Sequence, residues 1–298
     1  MQTKRLYSPN QIKDILERHG FNFSKALGQN FLIDGNIVRK ISIAAGVDKN
    51  TNVLEIGPGV GTLTEELALN AKRVVAVEMD ERLKPILEET LSGFENIKVI
   101  FSDVLKLDLK EIIEREFDGE RISVVANLPY YVTTPILEML FENDLPIDLI
   151  TVMVQKEVAL RMTAKPGSKD YSSLSIFIRF YSEPKIEFKV PNTVFMPKPK
   201  VDSAVVKMEL NKKYDVNREL FFKIVKAAFS KRRKTIINAL SSYEDLNVQK
   251  DDIRELLTLA DIDENRRAED LSIEEYLNLT KLLDMSLKLG FQGKKRLC

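Results

Sequence analysis

From residue 53 the chain alternates short apolar runs with stretches of helical periodicity. The runs cover residues 53–56, 74–77, 97–101, 124–126 and 149–154, and helical patterns of about 10 residues begin near Thr62, Glu81, Leu109 and Thr134. Strict β–α alternation implies a parallel sheet covered on both faces, with its ligand crevice at the carboxyl ends of the strands. Further runs at 174–180, 186–190 and 204–210 predict an antiparallel addition to that sheet. Ahead of the alternation, residues 8–20 predict an amphipathic helix with Ser8 as N-cap, Pro9 at its first position and Ile12, Ile15 and Leu16 on one face. A second helical pattern covers 36–45. After a linker at 211–215 only helical patterns remain, at 218–229, 235–241, 251–259 and 273–289, and Ser272 with Glu275 fits a capping box.

At 298 residues the chain suits one large domain and a smaller one. No apolar run approaches the roughly 20 residues that span a bilayer, and the first 20 residues lack the apolar core of a signal peptide. The single cysteine, Cys298, permits no internal disulfide, and a reducing, cytoplasmic setting is the simplest reading. The single histidine, His19, argues against a metal site. Net charge is zero, yet residues 198–234 hold 12 basic and 4 acidic side chains, a net of +8, while residues 235–289 hold 6 and 13, a net of −7. Such a division suits a nucleic-acid contact, and equally two solvated helix faces of opposite sign.

The chemistry gathers at the predicted strand ends. Residues 53–64, reading VLEIGPGVGTLT, run from a strand into Gly57, Gly59 and Gly61 and then into a helix, where bulky side chains would block a ligand from the backbone. The spacing is G-x-G-x-G, with an acid two residues ahead, in the manner of S-adenosylmethionine loops. Glu78, seventeen residues past Gly61, ends the second strand, where a carboxylate can accept both hydroxyls of a ribose. Asp103 at the third strand end, with Val104 beside it, can accept from an adenine amino group; each acid alone could equally be a helix cap. Asn127-Leu128-Pro129-Tyr130 follows the fourth strand. An Asn oxygen and a nearby carbonyl accepting both N–H hydrogens of an exocyclic amine would aim its lone pair at an activated methyl group, with Tyr130 stacked on the base. Gln29 and Asn30 read as ordinary turn residues on chemistry alone, and Phe195, before two prolines, as either a stacking residue or a loop anchor.

These segments resemble the KsgA-type ribosomal RNA adenine dimethyltransferases, near relatives of the Erm methyltransferases. The resemblance runs through KALGQNFL (25–32), EIGPGVG (55–61), Glu78, SDV (102–104), NLPY (127–130), VQKEV (154–158), PGSK (166–169), FMPKPKVDS (195–203) and RRKT (232–235). It implies an α/β fold: a seven-stranded Rossmann-like S-adenosylmethionine-dependent methyltransferase domain over residues 1–210, with residues 1–36 as N-terminal helix and cofactor lid. A small all-helical RNA-binding domain would occupy 211–298. It further implies that Asn30, Leu32, Gly57, Gly59, Glu78, Asp103, Val104 and Asn127 hold S-adenosylmethionine. Asn127, Leu128, Pro129, Tyr130 and Phe195 would receive the target base, and Lys198, Lys200, Lys231, Arg232, Arg233 and Lys234 would contact RNA, the last four opening a helix after the linker. The implied substrate is a pair of adjacent adenosines in a hairpin loop near the 3′ end of small-subunit ribosomal RNA, each methylated twice at N6, met either as naked RNA or in an immature subunit particle; a monomer without metal is expected. Two other readings stay open: an Erm-like enzyme acting on large-subunit RNA, and a mainly non-catalytic assembly or transcription factor.

Overall fold

The computed structural model describes residues 5–24, 28–129, 132–210, 214–231 and 233–288. Nine strands occur among them: β1 (Phe31–Leu32), β2 (Asn52–Ile56), β3 (Arg73–Glu78), β4 (Ile97–Phe101), β5 (Ile122–Asn127), β6 (Ile147–Gln155), β7 (Ser182–Val190), β8 (Phe195–Met196) and β9 (Ser203–Leu210). Seven form one sheet in the order β4-β3-β2-β5-β6-β9-β7. The pairs β3–β4, β2–β3, β2–β5 and β5–β6 are parallel, and β9 runs antiparallel to β6. The strand order reverses its direction of growth between β2 and β5, which puts the topological switch point at the glycine turn. All five residues of β2 are buried, as befits a central parallel strand. The remaining strands, β1 and β8, pair Phe31 with Met196 and Leu32 with Phe195.

The helices preceding and connecting these strands are α1 (Pro9–Arg18), α2 (Gly35–Ala44), α3 (Thr62–Asn70), α4 (Lys84–Thr90), α5 (Leu109–Phe117), α6 (Thr133–Glu142), α7 (Lys156–Thr163) and α8 (Ser173–Tyr181). Helix α1 starts after Ser8 with Pro9 in its first turn and buries Ile12, Ile15 and Leu16. Asp34 caps α2 by accepting the N–H groups of Asn36 (2.8 Å) and Ile37 (3.1 Å). One apolar layer joins Ile37, Val38 and Ile41 of α2 and Leu63 and Leu67 of α3 to the strand residues Val53, Val74, Val125, Met153 and Val205.

The last four helices are α9 (Arg218–Phe229), α10 (Ile236–Ser241), α11 (Lys250–Leu259) and α12 (Ile273–Lys288). The capping box ahead of α12 closes in both directions: Ser272 N–H donates to Glu275 Oε2 (2.7 Å) and Glu275 N–H to Ser272 Oγ (3.2 Å). Lys231, Arg233 and Lys234 lie in the turn between α9 and α10, not in the first turn of a helix; Arg232 is outside the described residues.

The chain forms two compact units, residues 1–159 with 183–210 and residues 160–182 with 211–298. Residues 160–182 thus pack with the C-terminal helices, whereas the pattern reading placed them in the sheet domain. The segment 174–180, predicted as a strand, is helix α8. Its alternating apolar residues carry Phe180 onto Phe221 (4.7 Å between ring centroids) and Phe177 onto Phe222 (5.5 Å) of α9. Tyr171, Ile176 and Phe180 share one core with α9, α10, α11 and α12. A short apolar run fits strand or helix, and here the aromatic face of α9 decides.

Candidate active site

The turn leaving β2 needs its glycines. Gly57, Gly59 and Gly61 have φ of +75°, +60° and +89°, a region costly for any residue with a Cβ. A Cβ on Gly59 would also lie 2.8 Å from Cδ1 of Phe31. The turn is pinned by Gly57 N–H to the Val77 carbonyl (2.9 Å) and Gly61 N–H to the Pro58 carbonyl (2.9 Å), and Gly61 is the N-cap of α3. Backbone at the positive end of a helix therefore faces the cleft at the strand ends.

Two acids stand at the next two strand ends. Glu78 closes β3 and is 7% exposed. Its Oε2 accepts the Gly59 N–H (3.2 Å) and its Oε1 the Asp80 N–H (2.8 Å), so the glycine turn and the acid orient each other. Burial pushes its carboxyl above the usual range, and the backbone donors offset only part of this. Asp103 follows β4; its Oδ1 accepts the Leu105 N–H (3.1 Å) and its Oδ2 lies 3.8 Å from Lys106 Nζ. Asp103 is thus a turn cap, as its residue type allows, and it faces the cleft as well.

Asn127 closes β5, and its Nδ2 donates to the Asn30 carbonyl (3.2 Å). Leu128 is buried, with its N–H on the Met153 carbonyl (3.2 Å), and the Pro129 carbonyl accepts from Val132 N–H (3.2 Å) and Thr133 Oγ1 (3.2 Å). Tyr130 lies outside the described residues. On the facing wall, Asn30 Nδ2 donates to the Gly28 carbonyl (2.9 Å) and Gln29 Nε2 to Asp80 Oδ2 (2.6 Å). The cleft so formed is open to solvent, with about 880 Å³ of space including its mouth.

Asn30, Gly57, Gly59, Glu78, Asp103, Val104, Asn127, Leu128 and Pro129 all line this cleft. Leu32 and Phe195 do not: each is 4% exposed and they share the apolar layer with α2. Phe195 is paired across β1–β8 and its ring is core, because its partner Leu32 and the α2 side chains bury it. Lys198 and Lys200 are exposed on the loop before β9, and Lys231, Arg233 and Lys234 are exposed in the helical unit; none forms an ion pair among the described residues. Other residues that line the cleft were not among the expected site residues, Gln29, Phe31, Met79 and Leu105 among them. For Met79 and Leu105 the sequence held a signal, since each is an apolar residue one or two positions past a strand-end acid; in the structure they are 52% and 41% exposed.

The cleft fits an adenosine carrying an extended polar tail. Glu78 and Asp103 offer carboxylate acceptors at separate strand ends, the glycines leave backbone approachable, and Met79 and Leu105 supply apolar rims. Among the described residues no group of three or more His, Cys, Asp or Glu side chains could hold a metal ion, and no helix is long and apolar enough to cross a membrane.

A sheet of this order, with a glycine turn after its central strand, acids at the next two strand ends and Asn-Leu-Pro after β5, defines a Rossmann-like S-adenosylmethionine-dependent methyltransferase. The ribosomal RNA adenine dimethylase family matches residues 20–285, and the chain belongs to that family. It is 52% identical over 275 residues to the ribosomal RNA small subunit methyltransferase A of Alkaliphilus oremlandii, covering 91% of this chain and 96% of that protein. To the protein of the same name from Clostridioides difficile it is 48% identical over 283 residues, covering 94% and 97%. Among solved structures it resembles a dimethyladenosine transferase from Plasmodium falciparum, with a TM-score of 0.70, 25% identity and coverage of 86% of this chain and 98% of that one. It also resembles the 23S rRNA methyltransferase ErmE, with a TM-score of 0.67, 28% identity and coverage of 86% and 100%.

Proposed function

We propose that this chain methylates N6 of adenosines in small-subunit ribosomal RNA, using S-adenosylmethionine and yielding N6,N6-dimethyladenosine. The observation that carries this reading is that Asn127, at the end of β5, lines the same cleft as the two acids Glu78 and Asp103. When bound, S-adenosylmethionine supplies an activated methyl group.

In this reading Glu78 accepts from the ribose hydroxyls and Asp103 from the adenine amino group. Gly57 and Gly59 admit the methionine part, Val104 packs on the adenine, and Asn30 walls the cleft with buried Leu32 behind it. Asn127 Oδ1 and a backbone carbonyl of the same turn accept the N–H hydrogens of the target amine and free its lone pair. Pro129 contributes no competing N–H, and Tyr130, outside the described residues, stacks on the base. No base contact is assigned to Phe195. The amine turns acidic once alkylated, so its proton leaves to solvent and no catalytic His, Cys or Lys is required.

The finer substrate of this proposal is two adjacent adenosines in a hairpin loop near the 3′ end of the RNA, presented by an immature small-subunit particle to a monomer in the cytoplasm. Lys198, Lys200, Lys231, Arg233 and Lys234, with Arg232 outside the described residues, would neutralise phosphates. Relatives named for the small subunit are about half identical over nearly their whole length, whereas ErmE is 28% identical, which favours the small-subunit reading over an Erm-like one. A methyl-transfer assay on both ribosomal subunits, with modified nucleotides identified by mass, tests it. Dimethyladenosine in small-subunit RNA is expected; label on large-subunit RNA alone would defeat the proposal.

A further inference from the structure

Asp80 makes more hydrogen bonds than a cap requires. It is 6% exposed and precedes a 3-10 turn at Glu81–Leu83, two residues past the end of β3. Capping needs one oxygen, and Oδ1 serves by accepting Arg82 N–H (3.1 Å). The side chain also takes Arg82 Nε on Oδ1 (2.8 Å), Arg82 Nη2 on Oδ2 (2.7 Å) and Gln29 Nε2 on Oδ2 (2.6 Å). The two-pronged Arg82 contact holds the Asp80 carboxyl below its usual range, so it stays ionised as an acceptor.

Arg82 and Gln29 in turn hold two stretches of the chain. The Arg82 guanidinium stands 5.2 Å from the Phe21 ring centroid, and its Nη1 donates to the Asn22 carbonyl (3.3 Å). Gln29 Oε1 accepts the Ser24 N–H (2.8 Å). Residues 21–24 and residues 28–30 are therefore tied to one ion pair. The Asp80 backbone N–H donates to Glu78 Oε1 (2.8 Å) at the same time. One residue thus fixes an acid of the cleft through its backbone and the opposite wall through its side chain.

We propose that Asp80 is a positioning residue that, through Gln29 and Arg82, sets the Gly28–Phe31 wall of the cleft at a fixed distance from Glu78 and so tunes affinity for the nucleoside part of the cofactor. This rests on the cofactor assignment made above. Asp80 does not line the cleft and acts only through Gln29, Arg82 and Glu78, so its effect falls on cofactor affinity more than on turnover at saturation.

The test compares Gln29→Ala, Asp80→Asn and the double variant with the unaltered chain, measuring S-adenosylhomocysteine binding by calorimetry and kcat at saturating cofactor and RNA. Each single change is expected to weaken binding about tenfold, the size of one lost hydrogen bond to a charged group. The double variant should fall no more than about twofold below Asp80→Asn, because that single change already removes the Gln29 bond, along with the one from Arg82 Nη2 to the same oxygen. Turnover of Asp80→Asn at saturation should stay within about twofold. Should Asp80→Asn fail to fold, Gln29→Ala carries the test alone, since its side chain is half-buried and fills no core. Wild-type affinity in Gln29→Ala, losses that multiply, or a fall in kcat with binding unchanged would each overturn the proposal. If the unaltered chain binds S-adenosylhomocysteine but methylates no small-subunit adenosine, the functional reading fails while the positioning role is still decided by the binding data.

Discussion

Replacing Glu55 by glutamine isolates the electrostatic cost of the acid ahead of the glycine turn. Glu55 lies in the centre of the sheet, opposite Ala76 on β3 and Val125 on β5, and is 1% exposed. Its Oε2 has no hydrogen-bond partner, and the Thr64 hydroxyl offsets only part of the cost of burial. Burial first, and the charge of Glu78 second, push its carboxyl up to about 8 from an ordinary value of 4.5. Between those two values the native chain holds a proton that the unfolded chain has released. Stability is therefore fullest below the ordinary carboxylate range and is lost as pH rises toward the folded value. The slope is at most about 1.4 kcal/mol per pH unit, so this group costs roughly 3–4 kcal/mol between about pH 5 and pH 8. Glutamine keeps the volume and does not ionise. Urea unfolding of both proteins at several pH values should show Glu55→Gln gaining on the wild type steadily as pH rises, while all other titrating groups cancel in the difference. Parallel stability profiles, within about 0.5 kcal/mol, would refute the reasoning.

Gly59→Ala forces a left-handed residue at about 1–2 kcal/mol and presses on Phe31, whose ring is held by Phe21 (5.9 Å) and Phe23 (5.3 Å). Calorimetry should show a lower melting temperature and cofactor affinity reduced at least about tenfold. Asn127→Ala should lose methyl transfer while RNA binding survives; full turnover in a transfer assay would remove the role given to that side chain. Arg233→Ala with Lys234→Ala should weaken RNA binding and flatten the slope of log K against log salt by about 0.7–0.9 per lost phosphate contact, measured by filter binding. Glu275→Ala removes the capping box and the ion pair with Arg266, and should lower the stability of the helical unit by about 1–2 kcal/mol in urea.

Much of the fold is legible in the sequence because its determinants are local. The apolar run, the three glycines and the helical pattern of residues 53–70 sit within one strand-turn-helix, and Ser272 and Glu275 write a helix start three residues apart. What escapes is long-range. The run at 174–180 becomes helix because aromatic residues of α9, some 40 positions later, offer it a face. Phe195 leaves the cleft because β8 pairs with β1, 163 residues earlier, a match no local window contains. Gln29 reads as a turn residue, and Asp80 carries no signal, until the fold joins side chains 51 residues apart. The acids at strand ends were visible since sheet topology alone brings successive strand ends together.

The cleft and β2, the strand leading into it, concentrate features that a fold would otherwise avoid. Glu55 and Glu78 are buried acids whose carboxyls are both pushed up, Glu55 Oε2 has no partner, and Met79 and Leu105 stay exposed though apolar. Each costs stability in the free protein, and the cost sits where sequence, burial and topology converge on one ligand. A nucleoside with paired hydroxyls would satisfy the free lone pairs of Glu78 and cover the two apolar rims. Binding to the folded state alone then returns stability as RT ln(1 + [L]/Kd), about 2.7 kcal/mol at a hundredfold excess over Kd. The cleft is thus the part of this unit that should gain most from its cofactor, and protection of residues 55–61 and 78–80 from hydrogen exchange is where that gain should appear.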